Sequence, residues 1–283
     1  MFDNVLVGVD GSSNGRDAIA LASRLMGAEG KLALVHVHAG ATHPLHAITP
    51  GLVDEQRAAS HKLLERERSA AEVEAELISV DGTSPGAALH REAETRGADL
   101  LVVGSCSRGA LGRAMLGDDT RAALNGSPCA VAIASKGYAE HPTPIANVGV
   151  GYNESVESHA ALELARDLAA PTRATVHALE VVSIPTYAFT GLMPPAIGES
   201  VDVILAEATT RLQELDDVQG SAVYGLTGEE LAAFGASLDV LVVGSRSYGP
   251  VKRLVLGSTS DYLERHARCS LVVLPRAAAT VGT

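Results

Sequence analysis

Aromatic residues and cysteines are scarce in this chain of 283 residues. Only 3% of the residues are aromatic and none is tryptophan, so the stacking platforms that bind single-stranded nucleic acids are nearly excluded. The three cysteines, at positions 106, 129 and 269, are too few and too scattered for a disulfide framework, which fits a reducing compartment. Apolar runs are short as well, and none reaches the roughly 18 residues that a membrane span requires.

Positive charge is also in short supply. The chain has 22 basic against 34 acidic side chains, for a formal net charge of −12, and this excess repels nucleic acids and anionic membrane surfaces. The N-terminal stretch carries Asp3 and no basic segment ahead of its apolar residues, unlike a secretory signal. With 46% hydrophobic residues the chain can form a globular core. We expect a cytoplasmic protein that binds neither nucleic acid nor membrane.

The chain repeats itself. The segment DLLVVGS, beginning at Asp99, returns as DVLVVGS at Asp239, about 140 residues later. Likewise VGVDGS, beginning at Val7, matches VGYNES at Val150. Two copies fill the chain and are joined by an aperiodic stretch that contains a proline. The repeat therefore predicts two domains, residues 1–138 and 144–276.

Each copy alternates short apolar runs with amphipathic segments, which predicts strands and helices in turn. The predicted strands are 4–9, 31–38, 76–80, 100–103 and 130–134, then 147–151, 175–182, 222–225, 240–243 and 271–274. The predicted helices are 16–26, 53–75, 85–96 and 117–124, then 158–169, 199–215, 229–234 and 258–267. The fold class is therefore α/β, with two tandem, open, twisted and mainly parallel five-stranded sheets that carry helices on both faces. Ligands of such sheets bind beyond the carboxyl ends of the strands, where the strand order reverses.

A glycine-bounded loop follows the fourth predicted strand of each copy. It runs from Gly104 to Gly117 in the first copy and from Gly244 to Gly257 in the second, with the same spacing. Glycines let backbone N–H groups approach an anion, and a helix that starts at the second glycine adds unsatisfied N–H donors and partial positive charge. A hydroxyl at Ser258 adds another donor. These features suit a phosphate group.

On these repeats and loops the chain resembles a tandem universal stress protein, and the resemblance covers nearly all of it. The family's nucleotide pattern is Gly, two residues, Gly, nine residues, then Gly and Ser or Thr, with an Asp after the first strand. The resemblance implies a Rossmann-like, adenine nucleotide alpha hydrolase-like fold and an ATP ligand, which Mg²⁺ or Mn²⁺ can accompany through phosphate oxygens. The pattern falls on Asp10, Gly104, Ser107 and Gly117 in the first copy, and on Asn153, Gly244, Ser247, Gly257, Ser258 and Thr259 in the second.

Neither copy matches the pattern completely. The first has Asp118 where a hydroxyl should meet the phosphate, and two like charges about 4 Å apart repel by roughly 1 kcal/mol in water and by several times more in a shielded site. The second loses only the carboxylate, to Asn153, whose amide still offers an acceptor. Both copies carry Ser at the second Gly position, which requires a backbone without positive φ. We therefore predict that the second copy is the better ATP site.

Plainer interpretations of the same residues stay open. The glycine loops can be tight strand-to-helix connections that bind nothing, and Asp10 can cap a turn with Gly11. We interpret Asp118 as a charge that satisfies the N–H groups of a helix start, and Cys129 and Cys269 as small buried apolar groups. Four histidines lack a Cys or carboxylate at ligand spacing, so they predict no metal site: His36, His38, His43 and His46.

The predicted function is that of a stress-response protein regulated by nucleotide. The glycine loops specify no nucleophile with its base and no acid–base pair, so we predict no catalytic residue and at most slow ATP hydrolysis. One alternative is an interaction module with vestigial sites. Another is an adenylate-forming or pyrophosphatase-type enzyme, which would need a Ser-Gly-Gly phosphate loop that this chain lacks. The resemblance also implies that the two copies pair through their closing strands and that the chain can form a homodimer, with the protein partner left open.

Overall fold

The computed structural model describes residues 1–38, 51–105, 118–142, 144–183, 197–245, 254 and 257–275. These residues form two compact units. The first contains the described residues up to Pro144 together with Leu254, and the second contains the described residues within 145–245 and 257–275. Leu254 is fully buried in the first unit, where its backbone exchanges hydrogen bonds with Gly126 and Ser127 at 2.8 and 2.9 Å.

The described part of the first unit alternates strands and helices along the chain. The strands are β1 (Phe2–Gly8), β2 (Met26–His38), β3 (Glu76–Asp81), β4 (Leu100–Gly104) and β5 (Ala130–Ala134). The helices are α1 (Ser13–Leu25), α2 (Leu52–Ala71), α3 (Pro85–Arg96) and α4 (Asp118–Leu124). The strand order is β3-β2-β1-β4-β5, and all neighbouring pairs are parallel.

The second unit repeats this plan in its own described residues. The strands are β6 (Asn147–Gly151), β7 (Thr175–Ser183), β8 (Val218–Gly225), β9 (Val240–Gly244) and β10 (Ser270–Leu274). The helices are α5 (Val156–Ala169), α6 (Ile197–Gln213), α7 (Thr227–Phe234) and α8 (Ser258–His266). The strand order is β8-β7-β6-β9-β10, again with parallel neighbours.

Helices cover both faces of each sheet, because apolar strands such as β4 and β9 present buried side chains on both sides. In the first unit α1 packs against α2 and α3 packs against α4, while in the second α7 packs against α8. The predicted α/β class, with parallel sheets and helices on both faces, is thereby confirmed. Cys129 and Cys269 are each 7% exposed, in agreement with their predicted apolar role.

Three element boundaries differ from the sequence-based prediction by four residues or more. β2 begins at Met26 instead of residue 31, after a register shift against β1, and β8 begins at Val218 instead of residue 222. Both extensions are polar or glycine-rich, so apolar periodicity does not reveal them. α2 stops at Ala71 instead of residue 75, because Glu72 turns left-handed (φ 53°) and donates its N–H to the carbonyls of Arg68 and Ser69.

The strand order reverses once in each unit, and this reversal positions the candidate site. In the first unit the chain moves outward from β1 to β2 and β3 and then returns to β4, which lies beside β1. In the second unit it moves outward from β6 to β7 and β8 and then returns to β9, which lies beside β6. At the amino ends of these strand pairs an aspartate joins the two strands. Asp99 accepts the backbone N–H groups of Asp3 and Asn4, and Asp239 accepts those of Ala146 and Asn147. The carboxyl ends of the same pairs lie at the reversal.

Candidate functional site at the strand reversals

Asp10 and Asn153 occupy equivalent turns just beyond β1 and β6. In the first unit, Oδ1 of Asp10 accepts the backbone N–H of Ser12 at 2.9 Å and its hydroxyl at 2.7 Å. In the second, Oδ1 of Asn153 accepts the N–H of Ser155 at 3.3 Å and its hydroxyl at 2.6 Å. Each serine then caps the following helix, α1 or α5, through its own hydroxyl oxygen. The two polar side chains therefore stabilise the turns, whatever else they bind.

The remaining atom of each side chain differs between the units. Among the described residues Oδ2 of Asp10 has no hydrogen-bond partner, and neither has Nδ2 of Asn153. Both residues are exposed. Asp10 therefore offers a charged acceptor to a ligand, whereas Asn153 offers an amide donor, because its acceptor oxygen already receives two hydrogen bonds from Ser155.

The residue after each of these side chains has a left-handed backbone. In the first unit it is Gly11, at φ 79°, and a Cβ there would lie 2.9 Å from Cδ1 of Leu63. In the second unit it is Glu154, at φ 57°, a conformation that costs a non-glycine residue about 1 kcal/mol. The Glu154 carboxylate lies 3.2 Å from Nε of Arg211. An ion pair thus accompanies the strained residue.

Charged side chains lie close to both turns but neutralise one another. In the first unit the Glu67 side chain, 1% exposed, pairs with Arg16 at 2.9 Å and with Arg66 at 2.7 Å. The Glu67 carboxylate raises the pKa of the Arg16 guanidinium by hydrogen bonding and by its charge. In the second unit Arg211 also bonds Glu180 at 2.7 Å. These arginines are therefore partly committed to protein carboxylates.

The buried Tyr152 fixes the turn of the second unit from the other side. Its hydroxyl lies 3.0 Å from Nε2 of His159, and Nδ1 of the same imidazole lies 2.9 Å from the Ser155 carbonyl oxygen. In the neutral ring Nδ1 therefore donates to the carbonyl and Nε2 accepts from the phenol. Burial raises the pKa of Tyr152, and the charges of Glu154 and Glu180 raise it further. The phenol thus remains a hydrogen-bond donor.

Gly104 and Gly244, the last residues of β4 and β9, are required by packing. A Cβ at Gly104 would overlap the Asn14 carbonyl of α1, and one at Gly244 would lie 2.6 Å from Cβ of Glu157 in α5. No side chain fits between these strand ends and the first helical turns. This close approach alone accounts for glycine at the two positions, so their recurrence is not by itself evidence of a ligand.

The start of α8 has the features expected for an anion site. Gly257 is the N-cap, with extended backbone (φ −86°) and no side chain to accept the first-turn N–H groups. The first turn contains Ser258, Thr259, Ser260 and the acidic Asp261, whose carboxylate is paired with Arg265 one turn later. The first N–H groups of a helix have no partner within it, and the helix dipole favours negative charge at that end. Gly257, Ser258 and Thr259 form a helix start, and their binding of a phosphate stays a prediction.

Ser245, which follows Gly244, was not among the predicted site residues. It is 3% exposed, and its hydroxyl oxygen has no hydrogen-bond partner. The available signal was that the pair Gly-Ser recurs in both copies, at Ser105 and Ser245. An unpaired buried hydroxyl at the carboxyl end of β9 is a polar group that a ligand atom can satisfy.

Several predicted residues are not characterised by the structure. Ser107, Gly117 and Ser247 lie outside the described residues, as do His43 and His46. Asp118 is the first residue of α4, as predicted, but its side chain lies outside the described part. His36 uses Nδ1 to bond the Val9 carbonyl at 2.7 Å. Within the described residues no group of three or more His, Cys, Asp or Glu is arranged to hold a metal ion.

Each unit contains an open parallel α/β sheet with a polar turn at its strand reversal, and the second unit also has a helix start without a side-chain cap. This arrangement defines a protein of the doubly wound class. The model of the universal stress protein family matches residues 1–135 and 144–275. The chain therefore belongs to the universal stress protein family, and the resemblance carried by its motifs is confirmed.

Related proteins agree with this assignment. Universal stress proteins of Mycobacterium bovis and Mycobacterium tuberculosis are 33% identical over 186 residues, which cover 62% of this chain. The match spans 61% of each relative's own length. None of the helices in the described part of the chain is long and apolar enough to cross a membrane.

Two solved structures share the fold along almost the whole chain. A universal stress protein from Archaeoglobus fulgidus has a TM-score of 0.66 at 18% identity and covers 97% of this chain and 98% of its own. A putative universal stress protein from Pseudomonas aeruginosa has a TM-score of 0.63 at 16% identity, with 97% and 93% covered. At these identities the comparison shows the fold alone.

Proposed function

We propose that this protein is a stress-response regulator that binds an adenine nucleotide, ATP, in its second unit. The observation that carries the proposal is the group of donors at one strand reversal. Asn153 follows β6, Ser245 follows the neighbouring β9, and the uncapped start of α8 supplies Gly257, Ser258 and Thr259. The hydroxyl and N–H donors at Ser245 and α8 suit a polyphosphate, and the amide of Asn153 suits the nucleoside. Mg²⁺ or Mn²⁺ accompanies the nucleotide through phosphate oxygens.

We infer that the first unit binds the same nucleotide more weakly. Its turn offers the Asp10 carboxylate, but α4 begins with Asp118, and a negative charge at that position disfavours a phosphate. An interaction role for the first unit, beside a nucleotide-binding second unit, is the second candidate function.

A calorimetric titration of the full chain with ATP and Mg²⁺ tests the proposal. We expect a stoichiometry near one, and loss of binding in Ser258→Asp, which places a carboxylate at the start of α8. Ser84→Asp is the matched control, because Ser84 is an exposed N-cap of α3 without a side-chain cap. The control should bind as wild type does. Absence of ATP binding in the wild type, with and without Mg²⁺, would contradict the proposed function.

Other features of the proposal are tested separately. We propose the domain limits 1–138 and 144–276, a cytoplasmic location and the capacity to form a homodimer. Sedimentation with and without ATP measures the oligomeric state, and a phosphate-release assay measures hydrolysis. We expect hydrolysis to be slow, because the glycine loops specify no acid–base pair that would position an attacking water.

A further inference from the structure

β8 forms the outer edge of the sheet in the second unit. Among the described residues its neighbour in the sheet is β7, and the two strands stay in register from Val218 to Gly225. On such a strand alternate backbone N–H and C=O groups point outward and have no strand to pair with. The side chains of Gln219 and Ser221 are exposed. This edge can therefore accept another strand.

The equivalent edge of the first unit is β3, and charged residues protect it. β3 begins with Glu76 and ends with Asp81, and both are exposed. The Glu76 carboxylate lies 2.8 Å from Nη1 of Arg96, and the carbonyl oxygen of Asp81 accepts a hydrogen bond from Arg91 at 3.4 Å. Charged side chains on an edge strand are a common means of preventing edge-to-edge pairing.

β8 lacks this protection. Its sequence, VQGSAVYG, contains no charged residue and no proline, and its register with β7 continues without a bulge. A Cβ at Gly220 would overlap Leu212 of α6, so Gly220 and the residues two positions away face that helix, whereas Gln219 and Ser221 face the other side. The two units thus share a strand order but differ in whether the edge strand resists pairing.

The edge fits a second copy of the same strand. Two copies related by a two-fold axis perpendicular to the sheet pair in antiparallel direction, and this contact closes, because each edge is used once. An axis at Ala222 keeps matching faces together, since opposed residues are then an even number of positions apart. It sets Leu226, which is extended and 43% exposed, against Val218 of the partner subunit. Tyr224 then lies against the partner subunit's Gly220. Every opposed pair in this register is uncharged.

We propose that β8 pairs in antiparallel direction with β8 of a second copy of this chain and joins the sheets of the two second units. This inference rests on the homodimer of the proposed function and deepens it, because it names the surface. The attraction comes from hydrogen bonds between the outward N–H and C=O groups. Each copy has a net charge of −12 and the interface holds no ion pair, so dimerisation should strengthen as salt screens the repulsion.

Ser221→Lys in the full chain tests this interface, with sedimentation over a range of protein concentrations as the measurement. The lysine places a charge in the middle of the edge, and we expect the dissociation constant of the dimer to rise about tenfold or more. The substitution lowers the net negative charge, so a weaker dimer cannot result from greater overall repulsion. Ala236→Lys is the matched control, because it makes the same charge change at an exposed residue between α7 and β9. It should dimerise as wild type does. Ser221→Thr keeps the edge uncharged and should dimerise at least as tightly as wild type.

Hydrogen exchange supplies a second measurement. At concentrations where the dimer forms, backbone N–H groups within residues 218–225 should exchange more slowly than in dilute protein, and Ser221→Lys should lose this protection. Because Ser221 is exposed, the variant should unfold at the wild-type temperature and bind ATP as wild type does.

A wild type that stays monomeric at all concentrations overturns this inference, and so does a dimer that Ser221→Lys leaves intact. Titration of the same samples with ATP tests the nucleotide site independently. If wild type binds no ATP but its dimer is lost in Ser221→Lys, the nucleotide-binding function fails and this inference stands.

Discussion

Replacing Asp17 should destabilise the first unit markedly. Asp17 lies on α1 and is 2% exposed. Its two carboxylate oxygens accept the backbone N–H groups of Gly137 and Ala139, both at 2.8 Å. A hydrogen bond to a charged group contributes about 1.5–3 kcal/mol, and the sequence between donor and acceptor is long enough that only the folded state brings them together. One side chain therefore holds the segment after β5 against α1.

Asp17→Asn keeps the shape of the side chain but replaces one acceptor with a donor. One N–H group would then face the new amide nitrogen without an acceptor, so we expect the free energy of unfolding of the first unit to fall by about 2 kcal/mol. Asp17→Ala, which removes both acceptors, should lower it by about 3–4 kcal/mol. Urea unfolding followed by circular dichroism measures both losses.

The control for Asp17 is Asp202→Asn, because Asp202 is an exposed residue of α6. It should change the free energy of unfolding by less than about 0.5 kcal/mol, as surface substitutions usually do. If Asp17→Asn is as stable as this control, the two hydrogen bonds do not hold the segment, and the reasoning from burial and geometry is refuted.

Three further predictions concern the second unit and the buried thiols. Asp239→Ala should destabilise the second unit by about 1–3 kcal/mol, since it leaves the N–H groups of Ala146 and Asn147 without their shared acceptor; a wild-type urea midpoint would contradict this. Asn153→Asp should make ATP binding sensitive to loss of the ribose hydroxyls, because the new carboxylate presents a free acceptor as Asp10 does. If the variant binds ATP and its 2′,3′-dideoxy analogue equally well, this argument from donors and acceptors is refuted. Burial raises the pKa of Cys129 and Cys269 from 9.0 to about 11, so both thiols should resist a disulfide reagent at pH 8 until the protein unfolds. The thiols of the unfolded chain ionise at a lower pH than the buried thiols. The stability that the protonated thiols give the folded state should therefore be intact below pH 9 and fall as the pH rises toward 11. Rapid labelling of the native protein would contradict the prediction, because it would show that the thiols are accessible.

Much of the architecture could be predicted from the sequence, because its signals are local. Runs such as Leu100 to Val103 are apolar throughout, which is typical of strands covered on both sides. Ser12 and Ser84 precede helices that begin where capping and proline chemistry favour a start. Prediction failed at the starts of β2 and β8, where polar residues and glycines join the strand through backbone hydrogen bonds. It also failed at the end of α2, where a residue with a left-handed backbone ends the helix.

The candidate site was predictable only in part. The sequence alone shows the glycine spacing, Asp10 and the hydroxyls at Ser258 and Thr259. It also shows that the glycine spacing occurs twice. The sequence does not show that Gly244 is needed beside Glu157, or that the oxygen of Asn153 is taken by Ser155. These depend on which elements meet at the end of β9 and β6.

The sequence by itself determined the duplication, the α/β class and the residue types able to meet a nucleotide, because periodicity, apolar runs and turn chemistry act over a few neighbouring residues. Only the tertiary structure decided where the strand order reverses, and which polar atoms at that edge are already paired. Burial withdraws the Ser245 hydroxyl from water, whereas Ser105, with the same two preceding residues, stays half-buried. That difference arises from the packing around each strand end, where contacts join residues far apart in the chain.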